Sequence, residues 1–380
     1  MLLRSVVFAV ALAAMLTMLT KLHAETSSWT SEPVRAPQQR GGEVTLMKRT
    51  PAATGKQSSP LARSVPSMPQ QPAAKSEQKT NQLATSPPPP DATTSDPARL
   101  ALLAYEAFDL GRFLTARDLA EKAAEAGIPE AHTLLGRLYQ DGLGVAKDEL
   151  AAAQWYQRGA ERGDIEAKFA FGVMLAEGGA LVRNRDGAAQ LFESAALEGH
   201  APANYNLALL FLIGEGKPQN PHRAAAHMRY AAEQGLTQAQ YDLATMYATG
   251  TGLDPNAFEA ARWFERAAEA GHVDAMLEFG LILFQGRGMP PDPPRGAKMF
   301  EAAADAGNVV AQNRLARCYL HGAGVAKNAI QSAKWHLLAA ASGIKDEVLD
   351  QALAKLRPAD RRSAEAAADD WRGRFALGIR

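Results

Sequence analysis

The sequence predicts an all-α solenoid of 36-residue helix-turn-helix repeats, preceded by a disordered N-terminal region. Two observations indicate the fold: glycines recur every 36 residues, and apolar columns repeat at helical spacing between them. A third observation, a long proline-rich stretch with one aromatic residue, indicates the disordered region. The glycines that close successive segments are Gly127, Gly163, Gly199, Gly235, Gly271, Gly307 and Gly343.

Each unit begins with a first helix, which we name helix A. In the first full unit, Ala131, Leu135 and Tyr139 are four residues apart, and similar residues recur at these positions in the next five units. The spacing i, i+4, i+8 places them on one buried face of a helix. A column of Gly or Ala that begins at Gly136 predicts the close approach of a neighbouring helix.

A glycine pair ends helix A and turns the chain in five units, with Gly142 and Gly144 in the first of them. The second unit departs from this pattern, because it carries the sequence Gly178-Gly179-Ala180 there. Only Asp or Asn occupies the next column, as expected for the N-cap of a second helix, B. These predicted caps are Asp148, Asn184, Asn220, Asn256, Asp292 and Asn328.

The two ends of the array differ from its middle. Residues 98–126 form a helical hairpin with a shorter turn and are predicted to be the N-terminal cap repeat. Beyond Gly343, residues 346–357 and 359–375 are predicted to be two amphipathic helices separated by Pro358, with Trp371 packed against the last repeat. The predicted repeat array therefore spans residues 97–343, and the C-terminal capping helices span residues 344–380.

Residues 1–24 have the pattern of an export signal. Arg4 precedes an uncharged run from Ser5 to Thr20, and a short segment after Lys21 ends at Ala24 with a passable cleavage site. The run is shorter than the ~20 residues that span a bilayer comfortably, which favours a cleaved signal peptide over an uncleaved anchor. Both interpretations predict export across a bacterial inner membrane. A cleaved signal gives a periplasmic or secreted protein, whereas a retained segment anchors the protein in the inner membrane, facing the periplasm, through residues 1–24 alone.

Residues 25–96 are predicted to be a disordered, proline-rich linker. They contain eleven prolines, including four in succession at positions 87–90, and Trp29 is their only aromatic residue. Such a segment cannot bury enough apolar surface to offset the entropy lost on ordering. The four prolines favour polyproline II, either as part of a spacer or as a ligand for a proline-binding module.

The repeat units resemble Sel-one-like repeats, a branch of the tetratricopeptide-like solenoids. The resemblance rests on residues 134–163 and 243–271, which follow the pattern of a Leu-Gly or Leu-Ala helix, a glycine pair, an Asp or Asn, and a closing Ala-Ala-x-x-Gly. It implies a right-handed superhelix that binds other proteins, with the A helices on its concave side. Relatives linked to β-lactam hydrolysis carry paired cysteines in each repeat, which this chain lacks.

The sequence contains no recognisable constellation for catalysis, metal binding or cofactor binding. Cys318 is the only cysteine and falls in an apolar column, so it is predicted to be a core thiol. His200 and His272 follow helix-ending glycines and are interpreted as solvated turn residues. The glycine pairs lack the strand and the Lys-Ser/Thr of phosphate loops. We therefore predict a protein that is not an enzyme and has no cofactor.

Charge by region argues against nucleic acid as a partner. The whole chain has a formal net charge of zero. Residues 98–380 have a net charge of about −4, which is unfavourable for binding phosphates. The expected partners are other proteins, especially those of the envelope or the membrane.

The most variable positions of helix A predict the binding surface. They combine apolar residues in the middle units with arginine in the first and last units, as a peptide-binding groove requires. The alternative is that these residues only pack against the next repeat. The predicted partner-binding residues are Val173, Leu209, Ile213, Thr245, Leu281, Arg137 and Arg317.

The leading functional prediction is an exported scaffold or regulator that acts through protein–protein contacts in the bacterial periplasm or cell envelope. The alternative is a membrane-anchored assembly factor for envelope or polysaccharide-export machinery, for which the long linker would serve as a tether. A hydrolase is the third alternative, although no convergent polar site supports it.

Overall fold

The computed structural model describes residues 96–378, so the predictions for residues 1–24 and for residues 25–95 lie outside this part of the chain. The described residues form sixteen α-helices and contain no β-strand. No helix in this part of the chain is both long enough and apolar enough to cross a bilayer. The all-α prediction for the repeat region is confirmed.

Fourteen helices of 13 residues alternate between the A and B positions, and two further helices close the array. In chain order they are α1 (Pro97–Asp109), α2 (Phe113–Glu125), α3 (Pro129–Asp141), α4 (Glu149–Glu161), α5 (Ile165–Glu177), α6 (Arg185–Leu197), α7 (Ala201–Ile213), α8 (Pro221–Glu233), α9 (Thr237–Thr249), α10 (Ala257–Glu269), α11 (Val273–Gln285), α12 (Pro293–Asp305), α13 (Val309–His321), α14 (Ala329–Ala341), α15 (Glu347–Ala354) and α16 (Pro358–Ala376). The odd-numbered helices up to α13 are A helices, and the even-numbered helices up to α14 are B helices.

Each B helix from α2 to α12 packs against the A helix before it and the A helix after it, which makes one continuous stack. The Gly/Ala column provides the space for this packing. A Cβ added at Gly280 would lie 2.6 Å from the ring of Phe300, and one added at Gly172 would lie 2.7 Å from the ring of Phe192. Both rings are fully buried, which stabilises the fold by about 2–3 kcal/mol for each of them.

The B helices from α4 to α14 start at side-chain N-caps, as predicted from the Asp/Asn column, whereas α2 has no side-chain cap. Asn256, for example, accepts a hydrogen bond from the backbone N of Glu259 at 3.1 Å, and Asp148 accepts from Leu150 and Ala151. The A helices end at glycines such as Gly250, which has a φ of +75°. The second glycine of each pair contacts the preceding repeat: a Cβ at Gly252 would lie 2.0 Å from the carbonyl O of Pro221.

The C-terminal helices cover the end of the stack. Trp371 is buried as predicted, and its Nε1 donates to Asp305 Oδ1 at 3.1 Å. Its ring also contacts Trp335 edge to face. Pro358 was predicted to lie between the two helices. It is instead the first residue of α16, a position at which the missing N–H of proline is tolerated.

Candidate protein-interaction surface

The predicted binding positions belong to one stripe on the A helices. Positions 2, 6, 9 and 13 of a 13-residue A helix are separated by four, three and four residues, so they share one face. We define the A-helix stripe as these positions in α3, α5, α7, α9 and α11. Most of its side chains are exposed or half-buried, and its four buried members are Leu134, Val173, Asn206 and Leu209.

The structure corrects the prediction for Val173, Leu209 and Arg317. Val173 and Leu209 are 7 % and 2 % exposed and belong to the hydrophobic core, so they are not exposed groove residues. Arg317 is 5 % exposed, and its Nε lies 2.7 Å from Asp346 Oδ2 at the N-terminus of α15. Because the end cap does not follow the 36-residue period, the repeat pattern could not predict that Asp346 would contact Arg317.

The other four predicted residues are half-buried on the stripe, and their role in partner binding stays a prediction. Ile213 and Leu281 are the apolar members. Thr245 Oγ1 donates to the carbonyl O of Tyr241 at 3.1 Å. The guanidinium of Arg137 lies 4.5 Å from the ring centroid of Phe108, and its Nε is 3.7 Å from Asp141.

A hydrogen-bonded chain of side chains connects three A helices through the stripe residues Gln238 and Asp242. Tyr205 of α7 donates to Asp242 Oδ2 at 2.8 Å, and Gln238 Nε2 donates to Asp242 Oδ1 at 3.2 Å. Gln238 Oε1 lies 3.2 Å from His272 Nε2, while Ala275 N donates to His272 Nδ1. These partners require a neutral His272 with its proton on Nε2.

His272 and His200 are therefore N-caps of A helices, and their interpretation as solvated turn residues is wrong. Ala203 N donates to His200 Nδ1 at 3.1 Å, and His200 Nε2 lies 3.1 Å from Glu166 Oε1. The His272 ring stacks on Tyr241 with centroids 4.4 Å apart. Burial lowers the pKa of His272. Histidine is an uncommon cap, so the sequence alone gave little signal for this role.

Two carboxylates at the centre of the stripe are partly removed from solvent. Burial raises the pKa of Asp242 to about 6, although hydrogen bonds from Tyr205 and Gln238 oppose the rise. Burial likewise raises the pKa of Glu278 to about 7, against the attraction of Arg287 and Arg314. The sequence analysis did not single out these residues, although both occupy position 6 of their helices.

The described residues contain no group of three or more His, Cys, Asp or Glu side chains that could hold a metal ion. Cys318 is fully buried, as predicted for a core thiol, and burial raises its pKa to about 12. This thiol is therefore not ionised at neutral pH. The A-helix stripe, with its apolar and acidic side chains, is the candidate surface for contact with a ligand.

The equal helices, the 36-residue period and the side-chain stripe define a tandem helical-repeat protein of the kind that binds other proteins. A model of the Sel1 repeat matches seven consecutive segments of the chain, which are residues 113–128, 129–164, 165–200, 201–236, 237–272, 273–308 and 309–344. These segments cover more than half of the chain, so it belongs to the Sel1 repeat family. Membership confirms the predicted right-handed superhelical solenoid.

One solved structure supports the same fold, and a second is a weaker likeness. A Sel1 repeat protein from Oxalobacter formigenes is 29 % identical with a TM-score of 0.56, and the match covers 63 % of this chain and 96 % of that one. The protective antigen c5321 of uropathogenic Escherichia coli, which displays an SLR fold, is 24 % identical with a TM-score of 0.47 over 74 % of this chain and 70 % of that one. A search of curated proteins gave no significant match. Sel1 repeats generally mediate protein–protein interactions.

Proposed function

We propose that this protein is a non-enzymatic scaffold or regulator of the bacterial periplasm or cell envelope that binds a partner protein through the A-helix stripe. The observation that supports it most is the stripe itself, which runs over five helices and includes the half-buried apolar residues Ile213 and Leu281 together with polar ones. Both apolar side chains also pack against core clusters. Partly exposed apolar groups within a polar surround are typical of protein-binding surfaces. Periplasmic location is supported by the uncharged run of residues 5–20 after Arg4.

The binding surface can be tested by quantitative affinity capture from membrane and periplasmic fractions. We expect the double variant Ile213→Glu with Leu281→Glu to lose the specific partner, because it places charge in the apolar part of the stripe. The matched control is Phe258→Glu on α10, since Phe258 is 54 % exposed on a B helix. The control should retain the partner. Because Ile213 and Leu281 also pack against core clusters, circular dichroism at the capture temperature must show that each variant is folded.

Retention of the partner by the stripe variant, or its loss in the Phe258→Glu control, would contradict the proposed surface. The proposed location has a separate test, the intact mass of protein isolated from the periplasmic fraction. We expect a mass that lacks residues 1–24. Full-length protein in the membrane fraction would instead support the anchored assembly factor, and full-length protein in the cytoplasm would exclude export.

A further inference from the structure

Acidic side chains are concentrated on one face of the A helices. Seven Asp or Glu residues but only two Lys or Arg residues lie on the five A helices α3, α5, α7, α9 and α11. The five B helices from α4 to α12 are more balanced, with ten acidic and eight basic residues. The seven carboxylates occupy positions 2, 6 or 13 of their helices, so all of them lie in the A-helix stripe. They are Glu130, Asp141, Glu166, Glu177, Asp242, Asp274 and Glu278.

Basic residues balance only part of this charge. Arg287 and Arg314 attract Glu278, and the five A helices themselves contribute only Lys168 and Arg137. Lys168 lies off the stripe, and its Nζ pairs with Glu198 at 2.6 Å. Arg137 lies on the stripe but at its N-terminal end, beside Asp141. The central carboxylates Asp242 and Glu278 are partly buried, where a cationic ligand would stabilise their charged form more than it would at a fully exposed position.

The stripe also contains apolar side chains between its carboxylates. Ile213 on α7 and Leu281 on α11 are half-buried, and they flank α9, which carries Asp242. A segment that fits this face therefore needs several basic residues together with a short apolar run. Such a combination satisfies both the charge and the apolar surface of the stripe.

The same chain contains a segment with this composition, ahead of the described residues. Residues 35–56 carry five basic residues and only one acidic residue, Glu43. The apolar residues Val44, Leu46 and Met47 lie in the middle of the segment. The basic residues on both sides are Arg35, Arg40, Lys48, Arg49 and Lys56.

The chain between this segment and the array is long enough for the segment to reach the stripe. Residues 57–95 separate the segment from Asp96, the N-cap of α1. A chain of this length reaches at most roughly 130–140 Å when fully extended. The distance from α1 to α9 is four repeat steps, or about 40 Å at helix-packing distances of about 10 Å. The tether therefore gives the segment a high effective concentration at the centre of the stripe.

We propose that residues 35–56 dock on the A-helix stripe of their own chain, with Lys and Arg against its carboxylates and the apolar run against Ile213 and Leu281. The docked segment covers the surface that the proposed function assigns to a partner, so a partner must displace it. This tethered competitor would lower the apparent affinity of any partner and set a threshold for binding. The docking itself does not depend on a partner, and it is testable in the purified protein.

The test is site-specific photo-crosslinking in the otherwise unaltered full chain, purified with residues 25–380 intact. The photoreactive residue p-benzoylphenylalanine replaces Leu46, and mass spectrometry locates the attachment points after irradiation. We expect attachment mainly to α7, α9 and α11 rather than to B helices. The yield should fall in roughly 0.5 M NaCl, since salt screens the charge contacts.

Two matched variants test the electrostatic basis. Asp242→Asn with Glu278→Gln removes two stripe charges at nearly constant shape and should lower the yield at the A helices by about fivefold. Glu265→Gln with Glu269→Gln removes two charges from the B helix α10 and should leave the yield unchanged. Equal yields in both variants, or attachment spread evenly over A and B helices, would overturn the proposal.

Isotope mixing distinguishes the chain's own segment from that of a second copy. Protein with natural isotopes and protein labelled with heavy nitrogen are mixed before irradiation. Docking within one chain gives light–light and heavy–heavy products only, whereas mixed products would show binding between copies and contradict the proposal. If the segment does not crosslink to the stripe but the stripe variant still loses its partner, the docking proposal fails and the proposed function stands, because partner capture is measured separately.

Discussion

The two kinds of turn in each repeat hold the array together in different ways. In the A-to-B turns after α7, α9, α11 and α13, the second glycine approaches the backbone of the preceding B helix so closely that a Cβ would lie 2.0–2.2 Å from a carbonyl oxygen. In the B-to-A turns, glycines such as Gly163 and Gly235 have nothing within 4 Å of an added Cβ. Backbone contact therefore fixes one edge of the stack, while side chains determine the other.

The B-to-A turns differ from unit to unit because side chains make their contacts. Asp164 accepts hydrogen bonds from Thr133 and from the backbone of Ala167, both at 2.6 Å. His272 and Asn308 cap their helices in the same way and reach Gln238 and Asp274 of the preceding unit. At Leu236, no side-chain cap is present. These turns can therefore change in sequence without altering the repeat geometry.

The comparison is tested most strongly by adding a methyl group to one glycine of each kind. Gly252→Ala should lower the free energy of unfolding by about 3 kcal/mol or more, because it combines a positive φ with overlap on the Pro221 carbonyl. Gly235→Ala should cost only about 1 kcal/mol, since its φ of +86° is strained but the space is open. Urea denaturation followed by circular dichroism measures both. Similar losses would refute the distinction between the turns.

A second prediction concerns the side-chain contacts of the B-to-A turns. Asp164→Ala removes both the cap of α5 and the bond to Thr133, so we expect a loss of about 2 kcal/mol. Asp148→Ala removes only the cap of α4 and should cost about 1 kcal/mol. In a double-mutant cycle, the loss of unfolding free energy caused by Asp164→Ala should be smaller in a Thr133→Val background than in the wild type. An unchanged difference would show that the inter-repeat bond contributes nothing.

A third prediction uses the pH dependence of the histidine cap. Burial lowers the pKa of His272 below its usual 6.5, so the folded state binds fewer protons than the unfolded chain just below that pH. The stability contributed by the neutral cap is complete above pH 6.5 and is lost as the pH falls towards the folded pKa.

His272→Asn keeps a capping acceptor but removes the titration. The variant should match the wild type at about pH 8 and be more stable than the wild type at about pH 5. Parallel stability curves for wild type and His272→Asn would rule out the neutral cap.

The smallest effect is expected at the exceptional A-to-B turn of the second unit. Val182 is 90 % exposed there, so Val182→Asp should change stability by no more than about 0.5 kcal/mol. Val325→Asp is the contrasting variant in a turn of the regular kind, because Val325 packs against a core cluster. It should be clearly less stable than the wild type in thermal denaturation. The two positions differ by one place in the 36-residue register, so the pair tests the effect of burial alone. Equal losses of stability would contradict the difference in burial between Val182 and Val325.

Sequence periodicity predicted the helices, their caps and the small-residue columns because each depends on local spacing. Asn256 caps α10 and Gly280 makes room for Phe300, as their columns indicate. The positions of these residues within one repeat determine their neighbours. The same logic identified Cys318 as a core residue, since its column is otherwise apolar.

The binding surface was predicted less well because exposure depends on neighbouring units. Leu209 occupies a column in which Thr245 and Leu281 remain half-buried, yet it is buried between α7 and its neighbours. Arg317 becomes buried because Asp346 of the irregular end cap pairs with it. The acidic pattern of the stripe was present in the sequence, but it becomes visible only when the A helices are read by position within the helix.

The glycine contact of the A-to-B turns always spans 31 residues: Gly216 meets Arg185, Gly252 meets Pro221, and Gly288 meets Ala257. Removing residues 201–236 would bring Gly252 over the carbonyl of Arg185, where Gly216 now lies. Loss or duplication of a whole unit at such a place therefore preserves every junction that remains. The array can change its length through recombination of its coding sequence, one interchangeable part at a time, without a compensating substitution elsewhere.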